Sequence, residues 1–226
     1  MITIYETKDG SKTLLNTDLN ETYHSRFGAI QESVHVFIKA GVLEYLQRYP
    51  ESSSIHILEV GFGTGLNALL TLQALQNFPC KVYYETIETY PLSYQQVSAL
   101  GYIELIGHDL EEKFERLHLA TWNQPVEITP NFVLHKRNIS LTTFESSQSF
   151  QVIYFDAFAP NVQPEMWTLE ALYRATKHLT IDGFFVTYCA KGQLKRDLKA
   201  LGFEVERLAG PPGKREMTRG TLKKFS

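Results

Sequence analysis

The sequence predicts an α/β fold, a mostly parallel sheet closed at one edge by an antiparallel C-terminal hairpin. Three observations carry this. After residue 54, short apolar runs alternate with helix-length amphipathic ones, the pattern of βαβ units. A glycine-rich turn, "GFGTG", joins the first of those runs to the first helix. The last two strand-like runs have no helix between them, so they pair antiparallel. The 226 residues suffice for one sizeable domain, and 43% hydrophobic with 21% charged residues is ordinary for a globular chain.

The elements follow in order. Residues 1–53 form an N-terminal extension, with a hairpin-like start and an amphipathic helix around Ala29–Arg48. "SIHILEVGF" reads as a buried strand, and "GLNALLTLQALQNF" as a helix with Leu66, Leu69, Leu70 and Leu75 on its apolar face. "KVYYETIE" is the next strand, followed by a proline-started helix from Pro91 toward Leu100. Residues 101–130 interrupt the alternation, an insertion expected over the substrate site. "NFVLHKRN" and "FQVIYFDAF" are strands, and "PEMWTLEALYRATKHL" is a helix with Pro164 in its first turn. "GFFVTYCA" is a strand, "GQLKRDLKALG" a helix, and "FEVERLAG" with "EMTRGTLKK" the closing hairpin.

Several classes are excluded or disfavoured. No apolar stretch is long enough for a membrane helix, and "MITIYETKDGSK" lacks a signal-peptide pattern, so a cytoplasmic protein without membrane contact is expected. Cys80 and Cys189 lie far apart without partners at ligand spacing, and no histidine pair suits a metal. The net charge is −3, yet residues 189–226 carry ten Lys or Arg against four acids. Such a basic end is either a solvated surface or a track for a polyanion.

The glycine turn narrows the chemistry. Gly61, Gly63 and Gly65 follow a strand and open a helix, where free N–H groups accept an anion or carboxylate. A dinucleotide fingerprint wants its third glycine where Leu66 stands. Gly-x-Gly-x-Gly preceded by Glu59 suits S-adenosylmethionine better than a pyrophosphate. Glu88, ending the next strand, can accept both ribose hydroxyls, and otherwise is a solvated strand end or a helix cap. Asn138, ending "VLHKRN", is placed to reach an adenine amino group.

Asp156 ends the following strand, in "IYFDAFAPNVQPEMW". On that stretch alone it is a turn cap or a working group. Beside a cofactor, a carboxylate can hold the N–H bonds of an amine while Phe158 and Pro160 pack a planar base. That is the arrangement expected of an N-methyltransferase.

"EVGFGTGLN", "ETYPL", "FDAFAPNVQPEMW" and "GPPGKREMTRG" resemble the methyltransferase part of the MnmC and MnmD tRNA-modification proteins, over the span from about Tyr23 to Gly220. The resemblance implies a class I, Rossmann-like methyltransferase that methylates 5-aminomethyl-(2-thio)uridine at the tRNA wobble position. It implies cofactor contacts at Glu59, Gly61, Gly63, Gly65, Asn67 and Glu88, with Asp156 beside the reacting amine and Phe158, Ala159 and Pro160 shaping the pocket. Lys214, Arg215, Glu216 and Met217 belong to a second signature, whose basic pair would meet RNA phosphate or hold the cleft. Tyr23, Ser25, Gly28, Glu32 and Phe37 match a segment that should close over the site.

Two positions depart from the family pattern. Ala157 stands where glycine is frequent, and Arg137-Asn138 where Gly-Asp is frequent. The flavin oxidase of the bifunctional members has no counterpart in the sequence. A stand-alone, flavin-free and metal-free enzyme is therefore expected, with separate enzymes supplying the aminomethyl precursor. Lys191, Lys195, Arg196, Lys199, Lys214, Arg215 and Arg219 are the candidates for tRNA phosphate contacts, Lys214 and Arg215 first. The competing readings are a methyltransferase for another amine and a non-catalytic S-adenosylmethionine-binding protein.

Overall fold

The computed structural model describes residues 1–224. Its centre is an eight-stranded sheet in the order β10-β11-β9-β8-β4-β5-β7-β6. Strands β4 (Ser54–Val60), β5 (Lys81–Ile87), β7 (Phe132–Arg137), β8 (Phe150–Phe155) and β9 (Leu179–Thr187) run parallel. The hairpin β10 (Phe203–Ala209) and β11 (Glu216–Leu222) is antiparallel, with β11 inserted beside β9 and β10 at the edge. At the other edge β6 (Pro125–Thr129) pairs antiparallel with β7. A separate three-stranded sheet, β1 (Ile2–Glu6), β2 (Lys12–Asn16) and β3 (Glu21–Thr22), forms the N-terminal start.

Register decides where the site can be. Val60 pairs with both Ile87 and Phe155, and Ile87 pairs with Arg137. The residues that follow, Gly61, Glu88, Asp156 and Asn138, therefore leave the sheet level with one another. Tyr154 pairs with Val186, which brings Tyr188 out beside Asp156. This shared C-terminal edge is where doubly wound sheets bind ligands.

The two faces are packed differently. On one, residues 29–48 make a continuous helix: α1 (Ala29–Ser33), a wide π-helical stretch Val34–Leu43, and α2 (Glu44–Arg48). Gly41 lets that stretch press on the sheet, since a Cβ there would lie 3.1 Å from the Tyr154 ring and 3.2 Å from Val186. Helices α3 (Leu66–Leu75), α4 (Tyr94–Ser98), α5 (Tyr102–Ile106) and α6 (Glu111–Leu119) cover the rest of this face. The other face is closed by α7 (Leu169–Thr176), α8 (Gly192–Ala200) and the segment around Leu141 and Phe144.

Three local expectations are corrected. The helix expected from Pro91 begins only at Tyr94, because Ser93 forms a capping box with Gln96. The helix expected from Pro164 is a short 3-10 turn, Pro164–Trp167, and then α7. Thr168 is extended and its side chain accepts from the Ala171 N–H, so it restarts the chain as an N-cap. β6 lies inside the expected insertion, where a five-residue half-exposed strand opening on proline gives little periodic signal. Among the described residues no helix is long and apolar enough to cross a membrane, and Cys80 and Cys189 are buried and unpaired.

Arg219 ties the closing hairpin to the N-terminal helix. It donates to both Glu206 oxygens at 2.8 and 3.0 Å and to the Ala40 carbonyl at 3.1 Å, with Glu44 at 3.6 Å. Arg219→Ala should lower unfolding free energy by about 3 kcal/mol in urea titration, and Arg219→Lys should recover only part, because it loses the bidentate fork.

Candidate active site

The glycine turn presses against the end of β8. Gly61, Gly63 and Gly65 all have positive φ, at 94°, 49° and 71°. A Cβ on Gly61 would lie 2.9 Å from the Asp156 carbonyl oxygen. The turn and the Asp156 loop are thus in contact through backbone, and no side chain fits between them.

Beneath that contact a single amide joins two acids. Asn67 Nδ2 donates to Glu59 Oε1 at 3.1 Å and to Asp156 Oδ2 at 2.9 Å. Glu59 is fully buried, and burial holds its carboxyl well above the usual range, with the Asp156 charge adding to the effect. Its Oε2 and the Asn67 Oδ1 have no partner among the described residues. Tyr84 and Thr86, on the next strand, turn their hydroxyls toward the Glu59 carboxyl without closing a well-formed hydrogen bond. Asp156 itself is pushed up to about 7 by burial and by the Glu32 charge, which outweigh the Asn67 hydrogen bond and the Lys214 charge.

Glu88 closes the turn from the β5 side. It accepts the Gly63 N–H at 3.0 Å and the Tyr90 N–H at 2.9 Å. Asn138 donates its side-chain N–H to the Glu88 and Thr89 carbonyls, and its own backbone N–H goes to Asn123 Oδ1 at 3.0 Å. Its side-chain oxygen is the part left for a ligand.

Both chain ends reach this edge. Tyr23 lies edge-on to Phe158 at 5.1 Å, and its ring is the neighbour a Cβ on Gly63 would meet at 3.3 Å. Burial and the Glu88 charge push its hydroxyl up to about 12. Glu32 accepts the Ser25 N–H at 2.9 Å and pairs with Lys214. Lys214 stands 3.8 Å from the centroid of the Tyr188 ring, whose hydroxyl donates to the Ala157 carbonyl at 2.8 Å. The Phe158 carbonyl accepts the Trp167 indole N–H at 2.7 Å, so the loop after Asp156 is fixed on both sides.

The structure thus gathers Glu59, Gly61, Gly63, Gly65, Asn67, Glu88, Asn138, Asp156 and Phe158 along one edge, with Pro160 in the same loop. Phe37 is core, packed 5.2 Å from Tyr154, and Gly28 sits against Asp9. The basic candidates divide. Lys214 points inward to Glu32; Lys195 is buried and paired with Glu216 at 2.8 Å; Arg219 is buried on Glu206. These three are therefore not a phosphate track, because their charges are already spent on internal partners. Glu216 is occupied by the Lys195 pair, and Met217 is core. Lys191, Arg196, Lys199 and Arg215 are exposed.

Sequence reasoning missed three features. Lys136 is buried, donating to the His118 carbonyl at 2.6 Å and lying over Trp122 at 4.8 Å and Phe62 at 5.5 Å. Burial lowers its ammonium to about 8. The signal was present, since period two puts Lys136 in phase with Phe132 and Leu134. The insertion docks on the glycine turn: Tyr102 donates to Thr64 at 3.1 Å, and His118 and Trp122 pack on Phe62. A groove of about 910 Å³ lies on the opposite sheet face, lined by His56, Tyr83, His135 and Arg137 with Asn138 at its rim. It includes none of Gly61, Glu88 or Asp156, so the chemistry is assigned to the strand edge rather than to that groove.

The model of an S-adenosyl-L-methionine-dependent methyltransferase family matches residues 111–223, half of the chain. The chain belongs to that family, as an MnmC-like methyltransferase domain. It is 31% identical over 218 residues to the tRNA 5-methylaminomethyl-2-thiouridine biosynthesis bifunctional protein MnmC of Methylobacillus flagellatus, covering 88% of this chain and 32% of that protein. The protein of the same name from Nitrosospira multiformis is 27% identical over 222 residues, covering 92% and 35%. The chain spans about a third of the length of these curated relatives. The crystal structure of MnmC2 from Aquifex aeolicus superposes with a TM-score of 0.77 at 26% identity, covering 100% of this chain and 71% of that one. The fold expected of a class I methyltransferase is the fold observed.

The raised Asp156 has a stability consequence. Folded, it binds a proton more tightly than unfolded, so between about pH 4 and pH 7 stability falls as pH rises. A full shift from 3.8 to about 7 corresponds to about 4 kcal/mol, which the partial exposure of the carboxylate reduces to about 2. Asp156→Asn should therefore match the parent below pH 4 and exceed it by about 2 kcal/mol at pH 8, in urea titrations across that range.

Proposed function

We propose that this MnmC-like domain transfers a methyl group to the primary amine of 5-aminomethyl-(2-thio)uridine at the tRNA wobble position. The observation that carries the reading is a half-buried carboxylate, Asp156, with its proton affinity raised toward neutrality, lying against a three-glycine turn and beside aromatic walls. The printed names of the relatives, which concern 5-methylaminomethyl-2-thiouridine biosynthesis, supply the substrate. A tRNA partner carries with it a cytoplasmic location, and the aminomethyl precursor comes from separate enzymes.

The residues present fit S-adenosylmethionine. Asn67 Oδ1 is a buried acceptor without a donor, open to a polar group of the ligand. The turn at Gly61, Gly63 and Gly65 leaves room for close backbone approach. Glu88 would hold the ribose hydroxyls, giving up its bonds to the Gly63 and Tyr90 N–H groups, and Asn138 would offer its side-chain oxygen to the adenine. When bound, the cofactor supplies an electrophilic sulfonium methyl.

The chain's own residues do the rest. An alkylamine is an ammonium at neutral pH and has no lone pair to attack with. Asp156 accepts its N–H and, being poised near 7, takes up the proton the amine must lose. Tyr23 and Phe158 form an aromatic corner suited to a pyrimidine. The exposed Lys191, Arg196, Lys199 and Arg215 are the phosphate contacts in this reading. A second reading, methylation of another amine, rests on the same Asp156.

Incubation with labelled cofactor and tRNA from cells lacking the activity, followed by nucleoside analysis, should yield labelled methylaminomethyluridine. Label on a different amine, with none in tRNA, would establish the second reading instead. Asp156→Ala should reduce transfer at least 100-fold with cofactor Kd changed less than about threefold. Glu88→Ala should weaken cofactor binding about tenfold or more by calorimetry, equivalent to about 1.4 kcal/mol.

A further inference from the structure

Lys214 is expected from the sequence to meet RNA phosphate or to hold the cleft. It is folded inward, and its surroundings are those of a small cation site. Its ammonium pairs with Glu32, which is 5% exposed, and sits 3.8 Å from the centroid of the Tyr188 ring. Both walls are anchored to backbone, Glu32 by the Ser25 N–H and Tyr188 by the Ala157 carbonyl. Asp156 adjoins, one residue before Ala157, and its charge and that of Glu32 both act on Tyr188. His24 is buried near Glu32 and Lys214 and is held neutral, lowered to about 4 by burial.

We propose that this cage of Glu32, Tyr188 and Asp156 is the seat of the acceptor's ammonium group, and that Lys214 is its internal occupant until substrate displaces it. The proposal rests on the amine-methylation reading and adds the place where the amine is held. A fixed carboxylate opposite an aromatic face selects an alkyl ammonium over a neutral group of the same size. Each wall is held to backbone by a hydrogen bond, while the occupant keeps part of its side chain in solvent. Lys214 stands at the tip of the "GPPGK" turn, with its side chain 31% exposed, so it can swing to solvent without moving either wall. Displacement exchanges one ammonium for another and leaves the charge of the cage unchanged.

The two assignments of Lys214 make opposite predictions. As an occupant, its removal opens the seat: Lys214→Met should bind propylammonium at least fivefold more tightly than the parent by calorimetry, and should lower KM for the tRNA acceptor. As a phosphate contact, its removal would raise KM for tRNA, reduce the salt slope of binding by about one, and leave propylammonium binding unchanged. That result overturns the proposal. Adding Tyr188→Leu to Lys214→Met should abolish the gain, and persistence of tight binding there would equally sink the cage.

Lys214→Met leaves Glu32 without its partner and can compromise folding, so the parent protein supplies a second measurement. With ¹⁵N-lysine labelling, the Lys214 amine protons should be ring-shifted upfield and should return to the solvent-exposed position on saturation with propylammonium. An unshifted resonance, or one that ignores the amine, rejects the proposal. Because these readouts use only a simple amine, they separate failure of the seat from failure of the tRNA assignment. Propylammonium displacing Lys214 while tRNA stays unmethylated would leave the seat standing and remove the substrate. Methylated tRNA with no displacement would do the reverse.

Discussion

The site depends on one amide. Asn67 opens helix α3 and divides its two N–H donors between Glu59, at the end of β4, and Asp156, at the end of β8. Burial raises the proton affinity of both carboxyls first; the Asp156 charge then adds to the shift of Glu59, and the Glu32 charge to that of Asp156. The amide keeps them apart at fixed distance and donates to both. Without the level ending of β4 and β8 the two acids would not share it, and that level is a matter of register. Sheet register therefore brings the two buried carboxyls to one amide.

The parallel core is only half of the construction. The side proposed for the acceptor is made by the N-terminal segment, through Tyr23 and Glu32, and by the turn of the closing hairpin, through Lys214. These segments are far apart in sequence and meet over the strand edge. The edge hairpin is anchored to the N-terminal helix by Arg219, whose guanidinium spans Glu206, Glu44 and the Ala40 carbonyl. The same two parts of the chain that form the acceptor wall are thus joined a second time, below it. A charge that a composition count assigns to a nucleic-acid surface is here used to hold the wall in place.

That distinction explains what was legible in the sequence. The alternation of strands and helices, the glycine turn and the edge hairpin are local patterns, and each corresponds to an observed element. Glu88 and Asp156 were legible because they end strands, and the end of a parallel strand is a defined place in the fold. Partnership was not legible. Nothing local in "GPPGKREMTRG" tells that Lys214 turns toward Glu32, 182 residues away, while its neighbour Arg215 stays in solvent. The burial of Lys136 could be read from strand phase, but its aromatic neighbours Phe62 and Trp122 come from elements brought together only by tertiary packing.

The buried charges in this domain are the physical basis on which the proposed acceptor is a cation. A neutral acceptor that displaced Lys214 would leave the buried Glu32 carboxylate without its counter-charge, a cost of several kcal/mol. An ammonium meets that need, as the Lys214 amine does in this structure. The same cation is unreactive until it loses a proton, so a site that merely bound it tightly would trap it. In the proposed reading Asp156 avoids the trap because its affinity for a proton is close to neutrality rather than that of a free carboxylate. It is ionised enough to attract the amine and basic enough to relieve it of its proton. Binding preference and activation are thereby two consequences of the same desolvation, and an isosteric neutral residue at position 156 would forfeit both.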